Sequence, residues 1–181
     1  MSTISWNCRG MGNSQTVQEL VDLVSTKRPK IMFLIEVKMG KAHIERIKNK
    51  LQFEGMFSVE SIRGGGGLAL LWKEEEWVKL VSYSMNHVDV EVTIPRMATW
   101  RLTGFYGMPE RSRRRDSWNL LRTLSSRSSL PWCCIGDFND LLAQFEKRGR
   151  LDHPNYLIQG FRDTVESCGL RDIGMNGYPF T

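Results

Sequence analysis

No apolar run in this sequence approaches the roughly 20 residues that a membrane-spanning helix needs. The start, Met1-Ser2-Thr3-Ile4-Ser5-Trp6, also lacks the basic-then-apolar plan of a secretory signal. The expectation is an intracellular protein with no membrane partner. Cysteine is scarce: Cys8, Cys133, Cys134 and Cys168 form no C-x-x-C pair and no Cys/His group with zinc spacing, so they read as reduced thiols. Gly64-Gly65-Gly66-Gly67 has no Lys-Ser or Lys-Thr behind it and precedes a strand rather than a helix, which makes it a flexible hairpin connection and not a phosphate loop. Repeats, low-complexity segments and linkers are missing too. A chain of 181 residues suffices for one domain, 1–181, with a sizeable core.

What is present is ordinary for a soluble globular protein, with 41% hydrophobic and 25% charged residues. Lys and Arg number 25 against 20 Asp and Glu, giving a sequence pI near 9.2. This leans towards a polyanionic partner but is too mild to decide anything alone.

The apolar pattern alternates strands with helices. Thr3 to Trp6 is β-prone and breaks at Asn7-Cys8-Arg9-Gly10-Met11-Gly12. Val17, Leu20, Val21 and Val24 then recur at helical spacing, with Asn13 or Ser14 placed as a cap and Pro29 marking the end. Ile31 to Ile35 is uninterrupted apolar sequence and reads as a buried interior strand ending at Glu36. Ile44, Ile47 and Leu51 share one face of a second helix. From Phe57 the period becomes two: Phe57 to Ile62, Leu68 to Trp72, Trp77 to Tyr83, Val88 to Ile94 and Thr99 to Tyr106 read as an antiparallel meander. Within it, Val88, Val90 and Val92 alternate against Asp89 and Glu91.

Arg111-Ser112-Arg113-Arg114-Arg115 opens a third helix, in which Trp118, Leu121 and Leu124 share a face. The run reads equally as a solvated helix start or as a set of phosphate contacts. Trp132 to Ile135, bounded by Pro131 and Gly136, fits a fully buried strand that spills into Asp137, Asn139 and Asp140. Taken alone, that spill is better explained by a plain turn, and its agreement with three other strand ends is what changes the reading. Ile158, Phe161, Val165 and Cys168 mark a fourth helix stopped by Gly169, and Leu170 to Ile173 is a candidate last strand.

Four strand ends thus carry groups suited to one site: Asn7, Glu36, Tyr106, and Asp137 with Asn139. Hard divalent cations take carboxylate and amide oxygens and leave room for phosphate oxygens, so Glu36 with Asn7 forms a candidate Mg²⁺ or Mn²⁺ site. Asp137 is then placed to orient or deprotonate a water, while Asn139 and Tyr106 hydrogen-bond the phosphate.

On these residues the sequence resembles the endonuclease/exonuclease/phosphatase superfamily, and within it the endonuclease domain of plant LINE-type (non-LTR) retrotransposons. The matching pieces are Ser5-Trp6-Asn7-Cys8-Arg9-Gly10, Phe33-Leu34-Ile35-Glu36-Val37-Lys38, Gly66-Gly67-Leu68-Ala69, Thr103-Gly104-Phe105-Tyr106-Gly107, Gly136-Asp137-Phe138-Asn139, and Gly169-Leu170-Arg171-Asp172 with Gly177-Tyr178-Pro179-Phe180-Thr181. The resemblance implies a four-layered α/β sandwich of two packed mixed sheets, Mg²⁺-dependent phosphodiester hydrolysis and nicking of DNA. It puts Asn7 and Glu36 on metal-site positions, Tyr106 on the phosphate-contacting tyrosine, Asp137 on the catalytic aspartate and Asn139 on its partner asparagine. Arg9, Lys38, Arg111, Arg113, Arg114 and Arg115 are the candidate nucleic-acid contacts.

One feature of the family pattern has no counterpart here. The sequence stops before the late Ser-Asp-His motif of the family, so the expectation is a fold incomplete at its C-terminus and a weakened or lost activity. Leu151-Asp152-His153-Pro154 imitates the motif but precedes the fourth helix, and His153 is assigned no catalytic role. His43 falls on a helix and His87 at a strand start. The alternatives are a non-catalytic nucleic-acid-binding remnant and a phosphatase or phosphodiesterase of the same fold. A working retroelement endonuclease would act in the nucleus.

Overall fold

The computed structural model describes residues 2–60, 66–149 and 151–174. The chain forms two compact units, Met1–Tyr106 with Leu130–Asp137, and Gly107–Ser129 with Phe138–Thr181.

The first unit contains β1 (Thr3–Asn7), α1 (Ser14–Lys27), β2 (Ile31–Ile35), α2 (Lys41–Lys50), β3 (Gly55–Val59), β4 (Leu68–Trp72), β5 (Val78–Ser84), β6 (His87–Val92), β7 (Trp100–Tyr106) and β8 (Trp132–Asp137). They make two four-stranded sheets, ordered β1-β2-β4-β3 and β5-β6-β7-β8. Both are mixed. In the first, β1 and β2 run parallel and β4 is antiparallel to β2 and β3. In the second, β5, β6 and β7 are antiparallel and β8 joins β7 in parallel.

Two apolar clusters explain the uninterrupted runs of β2 and β4. Ile31, Phe33 and Ile35 pack with Leu68 and Leu70 against Val88, Val90, Val92 and Leu102 of the other sheet. Met32, Leu34, Ala69 and Leu71 pack on the opposite face with Leu20, Val24, Ile44 and Ile47 of the helices. A strand covered on both faces has no polar side to show. Each fully buried aliphatic or aromatic side chain contributes about 1.5–3 kcal/mol, and the two sheets close on one another at Gly104, where a Cβ would lie 2.5 Å from the Phe33 ring. The result is an α/β sandwich of two packed mixed sheets.

The expected meander divides between the sheets. β3 and β4 complete the first sheet, and only β5 to β7 form a meander in the second, because the fully apolar β4 belongs between β2 and β3. β8 also departs from expectation: among the described residues it is the edge of its sheet, partly buried, with Cys133 exposed. Its apolar run is too short to tell an interior strand from an edge, and Pro131 just before it suits an edge. Asp89, expected on a polar face, is fully buried. Arg101 Nε and Nη2 donate to its carboxylate at 2.8 and 2.9 Å, and Thr103 Oγ1 donates at 2.7 Å. Leu170 to Ile173 forms no strand. Ile62, Gly64, Gly65 and the closing Gly177 to Thr181 lie outside the described residues.

The second unit is built on α3 (Arg114–Ser125), entered through a 3₁₀ turn at Arg111–Arg113, and α4 (Asn155–Ser167). Gly160 lets them approach, since a Cβ there would meet the Trp118 ring at 2.4 Å. Arg122 Nη2 donates to Thr164 Oγ1 at 2.8 Å across the pair. Gly169, at φ +66°, ends α4 in the left-handed conformation that a glycine adopts without strain.

Candidate active site

Parallel pairing brings chemistry to one end of each sheet. In the first, Asn7 is in register with Ile35, so Glu36 follows immediately beside it. In the second, Tyr106 is in register with Asp137. All four residues therefore stand at or just beyond C-terminal strand ends, where open α/β sheets place their ligands.

Side-chain hydrogen bonds join the four. Asn7 Nδ2 donates to Glu36 Oε1 at 3.1 Å and to Asp137 Oδ2 at 3.0 Å. Tyr106 donates its hydroxyl to the same Glu36 Oε1 at 3.0 Å. On the other carboxylate oxygen, Lys38 Nζ lies 2.9 Å from Glu36 Oε2. The Asn7 carbonyl faces away and accepts the Arg9 backbone N–H at 3.1 Å, which fixes the amide with its NH₂ towards the carboxylates. Two carboxylates from two sheets thus lie within the reach of one amide nitrogen.

The surrounding backbone is strained. Arg9, Glu36 and Lys38 have φ values of +49°, +54° and +53°, a conformation that costs non-glycine residues energy and clusters at functional sites. Val37 and Lys38 are held by N–H donation to the carbonyls of Gly67 and Gly66, both at 3.1 Å. Cys8 N–H donates to Ile35 O at 3.0 Å beneath them. Burial pushes the Glu36 carboxyl up, but the hydrogen bonds from Lys38, Asn7 and Tyr106 outweigh it and hold the pKa below its ordinary value. Burial pushes the Cys8 thiol up to about 11 and leaves it protonated. It donates to Ile35 O and is no nucleophile.

Asp137 is set by Gly136. At φ +151°, with a Cβ that would fall 1.9 Å from Phe105 O, position 136 admits only glycine. Tyr106 is set by Asn86, a turn residue that the sequence did not single out. Tyr106 N–H donates to Asn86 O at 2.8 Å, and Asn86 Nδ2 donates to Tyr106 O at 2.8 Å. An asparagine between two strands is an ordinary turn signal, so nothing in the sequence marks it. His87, at the start of β6 as expected, is buried with its ring nitrogens against Ser82 Oγ and Ser84 Oγ.

The remaining candidates lie in the second unit. Asn139, at φ +56°, donates Nδ2 to Gly107 O at 2.9 Å. Arg111, Arg113 and Arg115 are exposed, and Arg113 pairs with Asp116 at 3.2 Å. Arg114 does not belong with them: it is buried, donates Nη2 to Pro109 O at 3.0 Å, and holds Nη1 3.5 Å from Asp140 Oδ1. A run of arginines entering a helix must turn one member inward every third or fourth residue, and Arg114 is that member. His153 lies on the loop before α4, as expected, with Nε2 3.9 Å from Asp140 Oδ1. Trp118 Nε1 donates to the other oxygen of Asp140 at 2.9 Å. Burial raises the Asp140 pKa against these donors. Burial lowers that of His153, helped by the nearby charges of Arg114, Arg111 and Lys147.

Residues 4–179 match the endonuclease/exonuclease/phosphatase family. No curated protein matches the sequence. Among solved structures, the fold is shared with the endonuclease domain of TRAS1, a telomere-specific non-LTR retrotransposon, at TM-score 0.66 and 15% identity over 96% of this chain and 75% of that one. It is shared with the AP endonuclease LMAP from Leishmania major, at TM-score 0.66 and 15% identity over 92% of this chain and 66% of that one. It is shared too with a 3′ phosphatase from Neisseria bound to product DNA hairpin, at TM-score 0.68 and 13% identity over 92% of this chain and 71% of that one. The chain thus spans between about two thirds and three quarters of the length of these structures. With the family pattern running through nearly all of its length, the chain belongs to the endonuclease/exonuclease/phosphatase family.

Proposed function

We propose that the chain is a divalent-metal-dependent phosphodiesterase that nicks DNA, of the retrotransposon endonuclease type. The observation that carries this reading is the Asn7 amide donating to Glu36 and Asp137 at once, with Tyr106 on the same Glu36 oxygen. It makes one polar centre from two carboxylates, an amide and a phenol, where a family of phosphoester-cleaving enzymes would need it.

The donor set fits a hard cation, which takes one or two carboxylates and completes its shell with water and phosphate oxygens. Glu36 would hold Mg²⁺ or Mn²⁺ once the ammonium of Lys38, on its flexible stem, moves off Oε2. Asn7 would add its amide oxygen only by turning from the Arg9 N–H. When bound, such an ion polarises the phosphoryl oxygens and acidifies water. Asp137 is the base in this reading, since an ionised carboxylate is a hydrogen-bond acceptor and can take a proton from an attacking water. Tyr106 and the Asn7 NH₂ are neutral donors, suited to an oxyanion that gains charge in the transition state. The role of Asn139 rests on sequence alone. DNA is favoured as substrate by the exposed Arg9 and Lys38 beside the carboxylates and by the basic balance of the chain.

A metal-free nucleic-acid-binding module is the second reading, favoured by the Lys38 ammonium already seated on Glu36. Incubation of the purified protein with supercoiled plasmid separates the two. Nicking that needs Mg²⁺ or Mn²⁺, stops with EDTA and is lost in Glu36→Gln and Asp137→Asn supports the first. Salt-dependent binding with no nicking in either metal supports the second.

A further inference from the structure

The first sheet carries Asn7 and Glu36 at the C-terminal ends of β1 and β2, and its other end is basic. There, a groove of about 590 Å³ opens between the end of α1, the start of β2, the end of α2 and the residue after β4. Arg28, Lys30, Lys50 and Lys73 line it around Val24 and Leu51, and none of its lining residues is acidic.

The fold sets the backbone of three of these residues. Arg28 is the left-handed cap of α1, at φ +46°, and donates its N–H to Val24 O at 2.8 Å. Lys73 N–H donates to Lys30 O at 3.1 Å, which sets the two lysines abreast just outside β4 and β2. The Lys73 ammonium donates to Leu51 O at 3.0 Å and Gln52 O at 2.8 Å, the carbonyls where α2 ends, and sits 4.2 Å from the Phe53 ring centroid. Lys30 Nζ lies 5.7 Å from the Trp77 ring centroid. Burial lowers the Lys73 pKa, and the charge of Lys30 lowers it further against that of Glu74. Like charges gathered in a concave site repel one another, and a groove with apolar walls focuses their field on whatever enters. A ligand bearing successive negative charges relieves that repulsion. The groove is within the roughly 300–1,000 Å³ of ordinary ligand sites.

We infer that this groove is a second phosphate site, which takes backbone phosphates of nucleic acid at the sheet end opposite the carboxylates. The inference rests on the nucleic-acid reading above and adds a contact to it. The five residues of β2 separate the two ends, about 17 Å at the usual strand rise. The groove therefore engages either a different stretch of the strand bound at the carboxylates or a second strand.

Lysine protection tests this on the intact protein without relying on nicking. The protein is acylated briefly with and without a duplex oligonucleotide, or with inorganic phosphate, and each lysine is read by mass spectrometry. Protection of Lys30 and Lys50 by the oligonucleotide at concentrations where phosphate protects neither is the expected result. The double variant Lys30→Gln with Lys50→Gln should lower the slope of log affinity against log salt by about two contacts, roughly 0.9 for each. Protection of Lys38 with Lys30 and Lys50 still reactive would overturn the inference and leave the proposed function standing. Protection of none of the three would overturn both. Protection by phosphate alone would make the groove a small-anion site and overturn the nucleic-acid assignment.

Discussion

Tyr106 donates its phenolic hydroxyl to Glu36 Oε1 at 3.0 Å, joining the last residue of β7 in one sheet to the residue after β2 in the other. The same oxygen accepts from Asn7, so Glu36 is oriented from both sheets at once. Hydrogen bonds to a charged group contribute about 1.5–3 kcal/mol.

Tyr106→Phe keeps the ring and removes one of the donors. Nicking should fall roughly 10- to 100-fold, the rate equivalent of about 1.4–2.7 kcal/mol, while the thermal midpoint drops by no more than a few degrees. Initial nicking rates and a thermal melt measured on the same preparation check both. An unchanged rate would show that the phenol only supports Glu36 and meets no reacting group.

Gly136→Ala tests positioning rather than chemistry. A Cβ would collide with the Phe105 carbonyl at 1.9 Å, so β8 must shift relative to β7 and take Asp137 with it. The variant should lose more than about 2 kcal/mol of stability, as forced backbone movement in packed strands does. Nicking should also be lost well below its melting temperature. Chemical denaturation and nicking at low temperature separate the two losses.

How much of this is legible in the sequence depends on what each residue faces. Ile31 to Ile35 announced a doubly covered strand because no polar residue interrupts it, and Asn7, Glu36 and Asp137 stood out because each ends or follows an apolar run. Residues whose partner is distant gave no such sign. Asp89 reads as the outer side of an alternating strand, and its partner Arg101 lies twelve residues on. Asn86 looked like a turn, and Arg114 like one more surface arginine. The edge position of β8 was hidden because a four-residue apolar run looks alike wherever it pairs.

The buried pair itself gives a stability prediction. Asp89→Ala strands the Arg101 guanidinium, 1% exposed, without its counter-charge, and should cost about 3–5 kcal/mol. Replacing both residues, Asp89→Leu with Arg101→Met, removes the stranded charge and should recover much of that loss. Urea unfolding of both variants, with the slope compared to confirm two-state behaviour, measures the difference.

His153 makes the second unit sensitive to acid. Its folded pKa lies below the ordinary value, chiefly through burial and then through Arg114, Arg111 and Lys147. A base with a depressed folded pKa binds its proton more readily when unfolded, so its contribution is present above the ordinary histidine value of about 6.5 and is lost as pH falls below it. Asp140, raised by burial, has the opposite sign: its contribution is lost as pH rises through its folded value. Between pH ~7.5 and ~5.5, across the histidine range, the wild-type melting temperature should fall more than that of His153→Asn. Equal slopes for the two proteins would place the acid sensitivity elsewhere.

Glu36 ties the pH dependence of stability to that of the proposed chemistry. Its carboxyl is held below the ordinary range because the donors Lys38, Asn7 and Tyr106 outweigh the effect of burial. The stability this gives is fully present above the ordinary glutamate value of about 4.3 and is lost as pH falls through the lower folded value. Glu36→Gln keeps an acceptor for Asn7 and Tyr106 but gives up the charge and the Lys38 pair. Near neutral pH it should therefore melt about 2–4 °C lower than wild type, the equivalent of roughly 1 kcal/mol in a chain of this size. The two melting curves should converge once the wild-type carboxyl is protonated. The same substitution removes the carboxylate that Asn7, Tyr106 and Lys38 share, so nicking should vanish at every pH and stay absent when Mg²⁺ or Mn²⁺ is raised tenfold. A variant that melts like wild type near neutrality and nicks when given more metal would show that Glu36 neither carries the site's charge nor holds the ion.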